Sequence, residues 1–210
     1  MRFVKKWPVS LLAASLVAVA LPCSAVPDAN GQITSTPAPD LSQDNAMKAR
    51  LNYNLGYELF EKALQLENSS AGSAAKARAA DPEVKKGLAE AREHFRSVVA
   101  ADPNMKEGWN LLGYTSRRLG DYEESLSAYD AALKLQPDYP EAIEYRAELF
   151  LLTGRLDQAK QAYAALLKSS PSYAGTLLQS MRGWAASPAA QQVAAADRDG
   201  FNTWVKTQKL

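Results

Sequence analysis

Few residues in this chain could do chemistry. It has one histidine, His94, and one cysteine, Cys23. His94 stands between Glu93 and Phe95 with no HExxH neighbour, no second histidine and no Cys pair, so no zinc ligand set can be assembled around it. No GxxxxGK[ST] phosphate loop, GxGxxG turn or GxSxG nucleophile elbow occurs. Carboxylates are plentiful, 23 Asp and Glu together, but nothing in the sequence promises a deep pocket that would raise the pKa of one of them. The expectation is a chain that catalyses nothing and holds no metal and no cofactor. His94 reads as a lone surface side chain.

The elements carrying these residues are helical. Ala and Leu are abundant and β-branched residues comparatively few. The decisive pattern has a period of 34 residues, with 106–139 laid over 140–173. Gly120 then meets Gly154, Tyr129 meets Tyr163, Pro137 meets Pro171 and Tyr139 meets Tyr173. Within the first unit Trp109, Leu112, Gly113 and Ser116 form one apolar stripe. Gly113 lets a neighbouring helix come close, and Gly120 ends the helix in a left-handed residue. Asp121 can cap the next helix, on which Ser125, Tyr129 and Ala132 share a packing face, and Pro137 stops it. Two such helices cannot bury their apolar faces alone, so the units must stack.

An earlier unit is split. Leu55, Gly56 and Leu59 look like the start of a first helix, and Ala91, Phe95, Val98 and Pro103 like a second helix and its stop. Gly56 and Ala91 are 35 residues apart where 12 are expected, so about 23 are inserted. Part of the excess lengthens the first helix through Glu67. The rest, near 68–82, reads as a loop or loose helix: either a mobile structural insertion or a partner contact. Beyond Tyr173 the repeat fades. Thr176 to Ala186 predicts a helix that covers the last unit, Pro188 opens another stretch toward Ala196, Asp199-Gly200 breaks it, and Phe201 and Trp204 belong to a last short helix.

The first 25 residues differ from the rest. Arg2, Lys5 and Lys6 precede an apolar run of about 13 residues from Val9 to Leu21, short of the roughly 20 that span a bilayer. Cys23-Ser24-Ala25 then supplies small residues for cleavage after Ala25. This is the pattern of a secretory signal peptide; a retained anchor and a lipidated Cys23 are the competing readings. Val26 to Asn45, polar and with three prolines, predicts a flexible linker. Without residues 1–25 the basic count falls from 24 to 21 against 23 acids, a net charge near −2. Such a chain has no broad basic surface for nucleic acid, and it retains no cysteine.

The two full units resemble the tetratricopeptide repeat family, which places Trp, Leu, Gly, Tyr, Ala, Phe, Ala and Pro at set positions. Trp109, Leu112, Gly113, Tyr129, Ala132 and Pro137 carry the likeness in one unit, and Ala147, Phe150, Ala159, Tyr163 and Pro171 in the other. Ile143 and Arg146 depart from it. The resemblance implies an all-α, right-handed stack of antiparallel helix pairs: about three units over 46–173, then C-terminal capping helices over 174–210. It implies a protein or peptide partner in a concave groove lined by first helices. The positions that face the groove in the family fall here on Tyr53, Tyr57 and Phe60, on Glu107, Asn110, Tyr114 and Arg117, and on Glu141, Glu144, Glu148 and Leu151. Glu141, Glu144 and Glu148 share one helical face and would suit a segment with Lys or Arg and an apolar anchor; a plain solvated face is the other reading. Tyr53, Tyr57 and Phe60 read equally as core. The implied role is a non-catalytic scaffold in the bacterial periplasm, or an accessory subunit of an envelope enzyme or secretion complex.

Overall fold

The structure, a computed structural model, describes residues 41–70 and 74–208. The expected signal peptide and nearly all of the expected linker lie outside those residues. Eight α-helices follow one another among the described residues: α1 (Leu41–Ser70), α2 (Ala74–Ala101), α3 (Lys106–Leu119), α4 (Tyr122–Leu135), α5 (Pro140–Leu152), α6 (Leu156–Ser169), α7 (Pro171–Ala185) and α8 (Ala195–Thr207). A short 3-10 turn, Pro188–Gln192, precedes α8. The fold is all-α, a solenoid in which α1/α2, α3/α4 and α5/α6 are stacked helix pairs and α7 and α8 close the end.

The 34-residue period has a direct backbone counterpart. Gly120 and Gly154 take left-handed conformations, φ 87° and 72°. Around the first, Gly120 N donates to Arg117 O and Asp121 N to Ser116 O; around the second, Gly154 N donates to Leu151 O and Arg155 N to Phe150 O. Each bond recurs 34 residues on. Both turns return the chain against its own first helix by the same device, an αL residue with carbonyls of the last turn satisfied. The caps that follow differ: the Asp121 side chain accepts from Glu124 N, whereas Arg155 provides no side-chain cap to α6.

Close approach at Gly113 holds α3 to α4. A methyl group there would lie 2.6 Å from the Tyr129 ring. Ser125 Oγ donates to the Gly113 carbonyl at 2.7 Å, so the same contact is also polar. In the split unit Gly56 plays this part against Phe95, 3.0 Å from where a methyl would sit.

The insertion near 68–82 takes the helical one of its two readings: α1 runs to Ser70 and α2 starts at Ala74. The extra residues lengthen two antiparallel helices, on which Ala63 and Val84 are buried. Three features depart from the sequence reading. Helix α1 begins at Leu41, ahead of the expected boundary after Asn45. Helix α7 begins at Pro171, inside the segment assigned to the last unit, because Pro at the first helical position needs no N–H partner. Asp199-Gly200 breaks nothing and lies inside α8, which is held by Phe201 and Val205, both buried.

The core runs the length of the stack. Phe95, Leu88 and Tyr53 anchor the α1–α3 end; Tyr163, Leu166, Leu177 and Met181 anchor the other. Trp109 packs against both. The end is closed by ring contacts, with Tyr163 edge-on to Trp204 at 5.7 Å and Trp184 edge-on to Phe201 at 5.4 Å. That cover removes the apolar face the last repeat would otherwise expose. No described helix is long and apolar enough to cross a membrane.

Candidate partner-binding face

The first helices α1, α3 and α5 lie side by side, with α7 next to α5. Their helical spacing sets aromatic rings in line across the stack. Tyr53 stacks on Tyr57 at 6.0 Å and Tyr57 meets Phe60 at 6.1 Å. Phe60 of α1 then stands edge-on to Tyr114 of α3 at 5.1 Å, and Tyr114 edge-on to Tyr145 of α5 at 5.0 Å. Such edge-to-face pairs are worth about 0.5–1.5 kcal/mol beyond their buried area. They also hold each ring in one orientation.

Arg117 is the charge at the centre of this row. Its guanidinium lies 5.1 Å from the Tyr114 ring centre and 6.0 Å from that of Tyr145, and it meets Glu148 of α5 at 2.7 Å. Only 9% of its side chain is exposed. Burial disfavours its charge, but Tyr129 and Glu148 beside it more than offset this and hold the guanidinium above its ordinary range. Glu148 also accepts from Ser180 of α7 at 2.6 Å. Thus Arg117, Glu148 and Ser180 form one polar chain across α3, α5 and α7.

The expected groove residues come together on this face, but many turn inward. Tyr53, Tyr57, Phe60 and Asn110 are buried, as is Leu151. Burial, with Glu107 nearby, keeps the Tyr53 hydroxyl well above the usual tyrosine range; burial with Glu61 pushes Tyr57 up to about 12. Tyr53, Tyr57 and Phe60 are thus core side chains. The acidic strip is not open either. Glu141 accepts a hydrogen bond from the Tyr173 hydroxyl, Glu144 is 4% exposed, and Glu148 is held by Arg117 and Ser180. Rings of neighbouring first helices, and second-helix side chains such as Phe95, close over positions that solvent would otherwise reach. Tyr114, Tyr145 and Glu107 remain half-buried, and Glu107 pairs with Lys106 at 2.8 Å.

Tyr145 joins this face although the expected groove positions do not include it; its spacing from Tyr114 (31 residues) lies close to the repeat period. Asn110 is wholly buried, and neither its amide oxygen nor its amide nitrogen has a hydrogen-bond partner among the described residues. His94 is no free surface side chain: its Nδ1 lies 3.0 Å from Asn52 Oδ1, tying α2 to α1. No group of three metal-ligating side chains occurs among the described residues.

The outer side of the stack has open clefts between successive second helices. One, of about 440 Å³ between α4 and α6, is lined by Leu126, Ile143, Phe150 and Ala162, with Arg146 and Arg155 at its rim. Both guanidiniums lie near the Phe150 ring, at 5.5 and 6.0 Å, and Arg146 pairs with Asp130 at 2.5 Å.

The sequence profile of the tetratricopeptide repeat matches residues 86–140 and again 110–174. Those residues run from within α2 through α6 and reach the start of α7. A TPR repeat-containing thioredoxin of Arabidopsis thaliana is 33% identical over 75 residues, which make up 36% of this chain and 11% of that protein.

Proposed function

We propose, from the premise that residues 86–174 are built as tetratricopeptide repeats, that the chain is a non-catalytic scaffold gripping a protein segment along its first-helix face. The observation carrying this is the edge-on pair Tyr114–Tyr145, half-buried on that face and held from behind by Phe60 and Arg117. Rigid aromatic and arginine side chains dominate protein interfaces because little entropy is lost when a partner covers them. The fitting partner carries an apolar or aromatic anchor. Its lysines and arginines would gain less, because the carboxylates of Glu141 and Glu148 already have partners within the fold. The site of action is the bacterial cell envelope, reached by cleavage after Ala25; amino-terminal sequencing of the protein recovered from cells tests that.

A second reading follows from the outer cleft between α4 and α6. An apolar floor with two arginines at its rim suits permanent docking on one large subunit, which would make the chain an accessory part of an envelope complex. Photo-crosslinking in cells separates the two. A photoreactive side chain at Tyr114 or Glu107 should capture the partner, and one at Leu126 or Gln161 should not. Capture only from the latter pair defeats the first-helix reading.

A further inference from the structure

Helix α1 has two apolar faces, and only one is covered. Ala49, Tyr53, Tyr57, Phe60 and Ala63 pack inward. On the opposite side Met47, Leu51 and Leu55 are 70%, 59% and 42% exposed. They follow one another every four residues, and half-buried Leu59 continues the line. Asp44, Lys48, Glu58 and Lys62 are exposed on the same side. At about 100° per residue, all eight lie within about 60° of the middle of one face, over a length of about 27 Å. This is the edge of the stack, where no earlier helix pair stands among the described residues.

The order of charges along that face is complementary to its own reverse. Turning a second α1 end for end about the level of Tyr53 sets Asp44 opposite Lys62, Lys48 opposite Glu58, Met47 opposite Leu59 and Leu51 opposite Leu55. We propose that this face is a homodimer interface, two α1 helices packed antiparallel about a two-fold axis near Tyr53. Under that symmetry each contact occurs twice, so four ion pairs flank eight apolar side chains. The register is also selected against its neighbours. Sliding the second helix by one turn sets Asp44 against Glu58 in one direction and Lys48 against Lys62 in the other. A parallel pair would set every charge beside its own kind. The inference is independent of the proposed function, since the first-helix face looks the other way.

Sedimentation equilibrium on the full chain tests it. The expected result is a dimer that Leu51→Glu converts to monomer, with the helical circular dichroism unchanged because Leu51 is exposed. Lys48→Glu alone and Glu58→Lys alone should each raise the dimer dissociation constant about tenfold or more. The two together in one chain should restore it, and mixing the two single variants should yield the heterodimer. A wild-type monomer at every soluble concentration overturns the proposal. So does a dimer indifferent to Leu51→Glu, or charge reversals that fail to rescue one another.

Discussion

The Arg117 guanidinium of α3 meets the Glu148 carboxylate of α5 at 2.7 Å, across the junction between two successive helix pairs. The same guanidinium lies against the rings of Tyr114 and Tyr145. One arginine therefore joins both units through charge and ring contacts at once. Removing either partner leaves the other in a site with little water around it, and the cost of that orphaned group is what a variant would reveal.

Arg117→Ala is expected to destabilise the fold by about 1–3 kcal/mol, and Glu148→Gln by less, since the amide can still accept from Ser180. In a chain of this size each kcal/mol lowers Tm by about 2–4 °C. A thermal-denaturation double-mutant cycle of Arg117→Met, Glu148→Leu and the two together checks it: the pair should lose less than the sum of the two single losses. Additive losses would mean that the two side chains do not act together.

Gly113→Ala should be costly out of proportion to its size. The added methyl meets the Tyr129 ring at 2.6 Å, and the ring is buried and has nowhere to move. Overpacking of this kind costs about 1–3 kcal/mol. Gly183→Ala provides the contrast. It lies within α7, where an added methyl meets nothing within 4 Å, and should stabilise by about 0.5–1 kcal/mol through helix propensity. Urea denaturation of both variants would show opposite signs.

Asn110→Leu should raise stability. A fully buried amide with no partner costs about 1–3 kcal/mol, and an apolar side chain of similar volume removes that cost. Thermal melts check it: a variant that melts lower than wild type would mean that the amide is satisfied in the folded protein.

Glu124 predicts the acid limb of the stability curve. Burial would raise its pKa. The hydrogen bonds from Arg96 at 2.7 and 2.9 Å and from Ser116 at 2.6 Å, with Arg92 nearby, outweigh that and hold it below 4.5. A depressed carboxylate pKa means that the folded state releases the proton more readily than the unfolded chain. Its contribution is therefore complete above pH 4.5 and fades as pH falls through the depressed value. Glu124→Gln should be less stable than wild type near neutrality and converge with it in acid. Parallel curves at all pH values would contradict this.

Residues 106–173 determined the architecture without help. A period of 34 residues, with Gly120 and Gly154 as left-handed stops and Tyr129 and Tyr163 as packing residues, depends on contacts within one helix pair or between adjacent pairs. Such contacts recur in sequence because they recur in space. The tertiary structure decided what lies across the stack. Whether Glu141, Glu144 and Glu148 face water depends on how closely α5 and α7 pack, and the Tyr173 and Ser180 hydroxyls that engage Glu141 and Glu148 are 32 residues away in the chain. Asp199-Gly200 looked like a break because local preference is all a single sequence displays. Phe201, buried against Trp184, keeps the helix whole there. The surplus residues between Gly56 and Ala91 left loop and loose helix both open in sequence, and in the fold they extend α1 and α2. Local geometry is written in nearest neighbours, whereas burial is a property of partners that only folding brings together.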